Sequence, residues 1–436
     1  MDLTSHWVGI VSLVIFVAAY AVVISEEHTH IRKSKPVLLA AGMMWALLAW
    51  YHAGAGLAAE TEEALERFLV EFAELFLFLL VAMTYVNAMT ERNVFNALKS
   101  WLVSRNFSYR KVFWITGVCS FFLSPFIDNL TTALVMSAVV LAVGRDNLRF
   151  VSLGCINIVV AANAGGAFSP FGDITTLMVW QRGLLAFQEF FVLFLPSVVN
   201  YVVPALLMSL AVSKERATAE EEVVTLKRGA RRIVVLFMLT VATAVSFHNF
   251  LHLPPFLGMM TGLAYLKFFG YYLKRTHVAR PTDDPGYGIA GDVNAFDSFR
   301  EVARVEWDTL LFFFGVIMCV GALSYVGYLA HMSTLFYTEL GPTIANVLIG
   351  ILSAIVDNIP LMVAVLEMNP AMDDTQWLLI TLTAGVGGSL LSIGSAAGVA
   401  LMGQARGRYT FFGHLKWTPA IALGYGLSIW LHLLIN

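Results

Sequence analysis

Charge is what this sequence has least of. Lys, Arg, Asp and Glu make up 13% of its 436 residues while 58% are hydrophobic, and a soluble domain carries about 25% charge. That scarcity excludes a soluble globular enzyme and a basic nucleic-acid binder alike. Cysteine is scarce too: Cys119, Cys155 and Cys319 lie apart, inside apolar stretches, with no CxxC, which excludes a disulfide framework or a zinc ribbon. There is no HExxH, so no zincin. The stretch Pro170-Phe171-Gly172-Asp173 has Pro where an aspartyl intramembrane protease has Gly, and no YD accompanies it. No enzyme and no organic cofactor are expected. The opening MDLTSHW lacks the basic run of a signal peptide, so Trp7–Ile24 is expected to be retained as a span.

What the chain has is long apolar runs, each of a length that crosses a ~30 Å hydrocarbon core. Full spans are expected near 7–24, 36–57, 68–89, 148–180, 187–213, 233–251, 254–273, 308–330, 376–403 and 417–434. Two further stretches fit badly. Residues 112–143 are too long for one span, and their only charged residue is Asp128, beside Asn129. Residues 343–368 are broken likewise at Asp357-Asn358. Both read as re-entrant hairpins, whose irregular backbone is tolerated at membrane depth only inside protein or a watery cavity. With the hairpins taken as non-crossing, the segments 25–35, 90–111, 144–149, 214–232, 274–306 and 404–416 hold 24 of the 27 Lys and Arg. The positive-inside rule makes these cytoplasmic. The expected fold is an all-α polytopic membrane protein with ten crossings and both termini outside.

An internal repeat follows. FIDNLTTALVM (126–136) parallels IVDNIPLMVAV (355–365), and AGGAFSPFGDITT (164–176) parallels VGGSLLSIGSAAG (386–398). The two hairpins open to opposite faces, so the halves have inverted topology, the signature of secondary transporters. The expected organisation is an N-terminal helix and loop (1–35), a first repeat (36–213, hairpin 112–143, broken helix 148–180), a cytoplasmic linker (214–232) and a second repeat (233–436, hairpin 343–368, broken helix 376–403).

The polar residues at the breaks all bear oxygen: Ser124, Asp128, Asn129, Asn163, Asp173, Thr175 and Thr176 in the first half, Ser353, Asp357, Asn358, Ser392 and Ser395 in the second. No Lys or Arg lies in these four elements, the hairpin tips 124–132 and 353–360 and the helix interruptions 163–176 and 387–395. Hard cations take oxygen ligands, so Na⁺ or Li⁺ suits this inventory. A carboxylate in a dry cavity is disfavoured as an anion, and a bound cation restores it. Proton and cation then compete for one seat, with Asp128 and Asp173 as the titrating pair and Asn163 and Thr175 completing a cation shell.

Plainer readings stand beside these. A membrane Asp can cap a helix N-terminus. Gly165, Gly166, Gly387 and Gly388 read as packing and hinge positions. Thr132, Thr176 and Ser389 can bond back to their own backbone. Glu71 and Glu74, and likewise Glu306 and Asp308, sit at span entrances, where they mark a wet end or a proton path. His28 and His30 read as interfacial, and 275–304 as a solvated loop. Another cargo on the same architecture, an anion or a neutral metalloid such as arsenite, is the competing function.

SPFIDNLTTALVM, NIVVAANAGGAFSPFGDITTLMVW, EWDTLLFFFGV, SAIVDNIP and TAGVGGSLLSIGSAAGVALMGQARG together resemble the NhaD-type sodium/proton antiporters of the ion transporter superfamily. The flanking SEEHTHIRKSKPVLLAAG and YTFFGHLKWTPAIALGYG extend the likeness over nearly the whole chain. The resemblance implies exchange of cytoplasmic Na⁺ or Li⁺ for external protons across a bacterial inner membrane, or an organellar one of bacterial descent. It also implies a homodimer whose transport part moves against a scaffold. The family's transport residues fall on the twelve named above, with Glu74, Glu306 and Asp308 matching its further acidic positions.

Overall fold

A computed structural model describes residues 2–145, 147–216, 224–276 and 296–436. Parts of the expected linker (217–223) and of the expected solvated loop (277–295) lie outside the described residues, as does the side chain of His28. The described chain is helical throughout, apart from an isolated bridge between Ser108 and Arg216. Among the described residues, eight helices are long and apolar enough to cross a membrane: Trp7–Ile24, Ser34–Gly54, Ala58–Glu91, Leu148–Gly166, Phe187–Ser209, Ala230–Leu251, Trp307–Val326 and Thr418–Ile435. This is a polytopic membrane protein.

Two of the ten expected spans are not among the eight, each for a local reason. Pro255–Arg275 is helical but ends in Lys274 and Arg275, with Lys267 before them. The stretch 376–403 is two pieces, Asp374–Gly387 and Ala396–Ala405, about 21 Å and 15 Å long. The first hairpin is Tyr109–Ile127 followed by Asn129–Val143, with Asp128 alone between them. Its first arm begins three residues before the expected edge because the Ser108 hydroxyl caps it, accepting from the Lys111 amide. At 19 residues that arm is about 29 Å long. Pro342–Leu352 and Asn358–Met368 flank the second break, and at about 16 Å each neither crosses alone.

The chain divides into two compact units that interleave along the sequence rather than following its linear halves. One comprises 1–79, 306–345 and 359–373; the other comprises 80–305, 346–358 and 374–436. In the first, Ser34–Ala55 packs on Trp307–Val326. Gly315 admits the Val37 side chain where a Cβ would stand, and the Trp45 indole donates to the Met318 carbonyl at 2.9 Å.

The second unit is built around Leu148–Gly166. All but three of its nineteen residues are buried, the signature of a helix that is apolar on every face. Lipid tails are as apolar as leucine, so such helices associate through close packing at small residues and a few polar contacts. Gly154 receives Val140, Gly117 receives Asn157 and Tyr201, and the Asn157 amide donates to the Phe113 carbonyl at 2.8 Å. Overpacking such a contact costs about 1–3 kcal/mol. Gly154→Leu is therefore expected to lower the melting temperature of the detergent-purified protein. Gly42→Leu, at a helical glycine with nothing near its missing Cβ, is expected to leave it unchanged or raised; equal losses would show that the Val140 contact is not what matters.

Candidate ion-binding site

Three helix starts lie at the centre of the second unit. Asn129 opens Asn129–Val143, Asp173 caps Ile174–Gln181, and Asn358 opens Asn358–Met368. Asp173 is 7% exposed, and among the described residues the hydrogen bonds that reach its carboxylate come from neutral groups. Oδ1 accepts from the Thr175 amide at 2.9 Å and the Thr175 hydroxyl at 3.0 Å. Oδ2 accepts from Asn129 Nδ2 at 2.7 Å. Asn358 Nδ2 donates across both oxygens, at 3.3 and 3.2 Å. The Ser124 hydroxyl donates to Asn129 Oδ1 at 2.6 Å, which fixes the amide with its N–H toward Asp173. Asp357 lies close enough for its charge to act on Asp173.

The backbone makes this possible. Pro125 lacks an N–H, so the Phe121 carbonyl loses its helical donor, and Gly165 approaches that carbonyl where any side chain would collide. Gly387 approaches the Gly350 carbonyl in the same way. Gly172 lies against Gly166 and Pro125, and Gly394 against Ala354, with Gly388 beside Gly394. The glycines expected as packing positions are therefore points of backbone contact. A Cβ on Gly166 would strike Asn129 Oδ1, so Gly166 also makes room for the amide.

Asp128 behaves differently from its neighbour. Its carboxylate accepts from the Thr131 amide at 2.8 Å and the Thr131 hydroxyl at 2.9 Å, the geometry of a helix cap. It does so at φ +65° and ψ 156°, a conformation that costs a non-glycine residue on the order of 1–3 kcal/mol. This half-buried residue turns its carboxylate onto its own helix and delivers Asn129 to Asp173.

The remaining expected residues are placed as follows. Asn163 Nδ2 donates to Ser389 Oγ at 2.8 Å, both groups being buried. Thr176 Oγ1 donates to the carbonyls of Asp173 and Ser169, at 2.7 and 2.9 Å. Ser353 Oγ donates to the Ala384 carbonyl at 2.9 Å, and Ser395 Oγ caps Ala396–Ala405. The hydroxyls of Ser392 and Thr132 are buried with no hydrogen-bond partner among the described residues. An orphaned buried hydroxyl costs about 1–3 kcal/mol. By type, the oxygens at the breaks suit a small hard cation: carboxylates, amide oxygens and hydroxyls, with no Lys or Arg in the four elements. Glu74, Glu306 and Asp308 belong to the other unit. There Asp308 accepts from Ser34 Oγ at 2.5 Å, and exposed Glu306 accepts from Thr309 Oγ1 at 3.1 Å.

Residues 10–385 match the family model described as citrate transporter. The chain is 59% identical over its full length to the Na(+)/H(+) antiporter NhaD of Alkalimonas amylolytica, covering 92% of that protein, and 58% identical to NhaD of Vibrio cholerae, covering 94%. It belongs to the NhaD family. The likeness extends at 32% identity to sodium/proton antiporter 1 of Arabidopsis thaliana, over 97% of this chain and 72% of that one.

One group in this NhaD-family chain was not expected from sequence. His414, in the short helix Phe411–Leu415 that follows Ala396–Ala405, is fully buried. Its Nε2 lies 2.8 Å from the Ser389 carbonyl and its Nδ1 2.8 Å from the Tyr409 hydroxyl. A carbonyl only accepts, so Nε2 carries the hydrogen and neutral Nδ1 accepts from tyrosine. The only advance sign was a His between apolar neighbours in a loop. Burial pushes the imidazole down to about 4, against a weaker raising effect of the Ser389 carbonyl. Protonation is thus favoured in the unfolded chain. The stability this contributes is complete above about 6.5 and is lost as pH falls toward about 4. The melting temperature of the purified protein should fall over that window, and His414→Gln should flatten the fall; an unchanged slope would remove His414 from the account.

Proposed function

We propose that the chain is a secondary antiporter that exchanges cytoplasmic Na⁺ or Li⁺ for external protons, the two competing for Asp173. The observation that carries this is the Asp173 carboxylate itself: buried, held by the side-chain amides of both Asp-Asn breaks and by the Thr175 amide and hydroxyl, with no fixed cation on it among the described residues. Asn129, Asn358, Thr175 and Ser124 build its surroundings. Asn163, Thr176, Ser353, Ser392 and Ser395 supply further oxygens, and Asp128 and Asp357 are the second acids at the breaks. Glu74, Glu306 and Asp308 are proposed as a proton path. The family name of its relatives supports the same reading, and NhaD relatives from bacteria support a bacterial plasma membrane.

The mechanism follows from electrostatics. An uncompensated charge at mid-bilayer costs at least ~2.5–3.5 kcal/mol, roughly a hundredfold in population. The site therefore reorients when Asp173 carries a proton or a cation and rarely when it is bare. We further propose ten crossings with both termini outside, two inverted repeats each holding a re-entrant hairpin and a broken helix, and a homodimer. What supports the repeats is that glycine-to-carbonyl packing occurs in each: Gly165 on Phe121, and Gly387 on Gly350. The citrate-transporter description of the family model raises an anion as cargo. Against it, a tricarboxylate would meet a carboxylate with no Lys or Arg in the four elements.

Everted vesicles with an imposed pH gradient and a pH-sensitive dye test the proposal. Na⁺ and Li⁺ should dissipate the gradient, and citrate should not. Asp173→Asn should reduce the response at least a hundredfold at normal abundance. Asp128→Asn should weaken it without abolishing it, because a capping amide preserves the break. An Asp173→Asn protein with full exchange would sink the assignment.

A further inference from the structure

The register that aligns Gly165-Gly166 with Gly387-Gly388 also aligns Asn163 with Gly385, Ala167 with Ser389, and Asp173 with Ser395. The fold makes the corresponding contact twice. Asn163 Nδ2 meets Ser389 Oγ at 2.8 Å, and a Cβ on Gly385 would meet the Ala167 Cβ at 3.6 Å. One place is filled by an amide and a hydroxyl; its counterpart is lined by a glycine and an alanine. The stripped place adjoins the carboxylate: the same Cβ position lies 3.6 Å from Asp173 Oδ2 and 4.0 Å from Thr175 Oγ1.

Close packing does not require this glycine. At Gly165, Gly387 and Gly394 backbone atoms occupy the place of the missing Cβ, whereas at Gly385 nothing comes nearer than ordinary contact. Its backbone is helical, within Asp374–Gly387, where glycine is less favourable than alanine. The room that a methyl would take is bordered by two oxygens suited to a hard cation.

The geometry points to Gly385 as a specificity-determining residue: its bare backbone keeps open the space beside Asp173 Oδ2 and Thr175 Oγ1 that seats the transported cation, and the size of that space sets which alkali ion fits. This rests on the exchange reading above and adds to it the wall that measures the ion.

Gly385→Ala tests it, because alanine suits the helix and meets no clash. In everted vesicles the half-saturating Na⁺ concentration should rise about tenfold, the scale of one misplaced methyl group in a fitted pocket. The smaller Li⁺ should shift much less, so the variant turns toward Li⁺. Gly385→Asn, which restores the amide found at position 163, should lose response to both ions. A second arm uses purified protein: the rise in melting temperature on adding NaCl or LiCl, with choline chloride as the blank. There Gly385→Ala should lose the Na⁺ shift and keep the Li⁺ shift. Unchanged half-saturation and unchanged shifts for both ions in Gly385→Ala would overturn the inference, as would an equal loss for Na⁺ and Li⁺ in that variant in either arm. A wild-type protein that binds Na⁺ but exchanges no protons would instead refute the exchange reading, with the binding arm still deciding Gly385.

Discussion

The arrangement turns on a carboxylate solvated by dipoles instead of by a counter-ion. Buried Asp173 is reached by two side-chain amides, one hydroxyl and one backbone amide. None of these can transfer a full positive charge. Had a lysine or arginine stood there, the pair would be permanently neutral, and removing one partner would leave a buried charge at a cost of about 3–5 kcal/mol. Dipoles lower the cost of the anion without cancelling it. The residual charge is what a mobile proton or alkali ion can answer, and the donors remain in place for either one.

That requirement explains the broken helices. A continuous helix satisfies its own amides and has none to offer a ligand. Asn129, Ile174 and Asn358 each begin a helix, and the side chains of Asn129 and Asn358 and the Thr175 amide all reach one carboxylate. Glycine ends Leu148–Gly166 and Pro125 lies in the last turn of Tyr109–Ile127, and glycine against a carbonyl lets the segments come close enough for short asparagine side chains to span the gap. Weak hydrogen bonds between membrane helices, about 0.6 kcal/mol each on average, suffice here because they act together on one group.

The breaks were legible because a lone Asp-Asn in an apolar run has few explanations, and the aligned motifs marked both of them. Which of two adjacent residues faces the site was not. Asp128 and Asn129 differ by one position, and their directions are set by a backbone at φ +65° that no periodicity encodes. The sequence therefore paired Asp128 with Asp173, while the contacts join Asn129 to Asp173 and leave Asp128 capping its helix. His414 was illegible for another reason: its partners are the Ser389 carbonyl and Tyr409, and a backbone carbonyl leaves no trace in side-chain chemistry. The first arm of the first hairpin was read short because a cap at Ser108 extends the helix past the apolar run.

The unequal halves carry a physical consequence. At matching positions one segment has Asp173 and the other Ser395, and both cap the helix that follows. Capping alone would be served equally well by either residue, since Asp and Ser rank alike as caps. A carboxylate at position 395 would add one more like charge to those of Asp128, Asp173 and Asp357, and like charges disfavour one another's ionisation. Asp173 instead accepts from Asn129 of one segment and Asn358 of the other. A proton or cation bound at Asp173 as proposed would therefore alter one charge that side chains of both breaks contact.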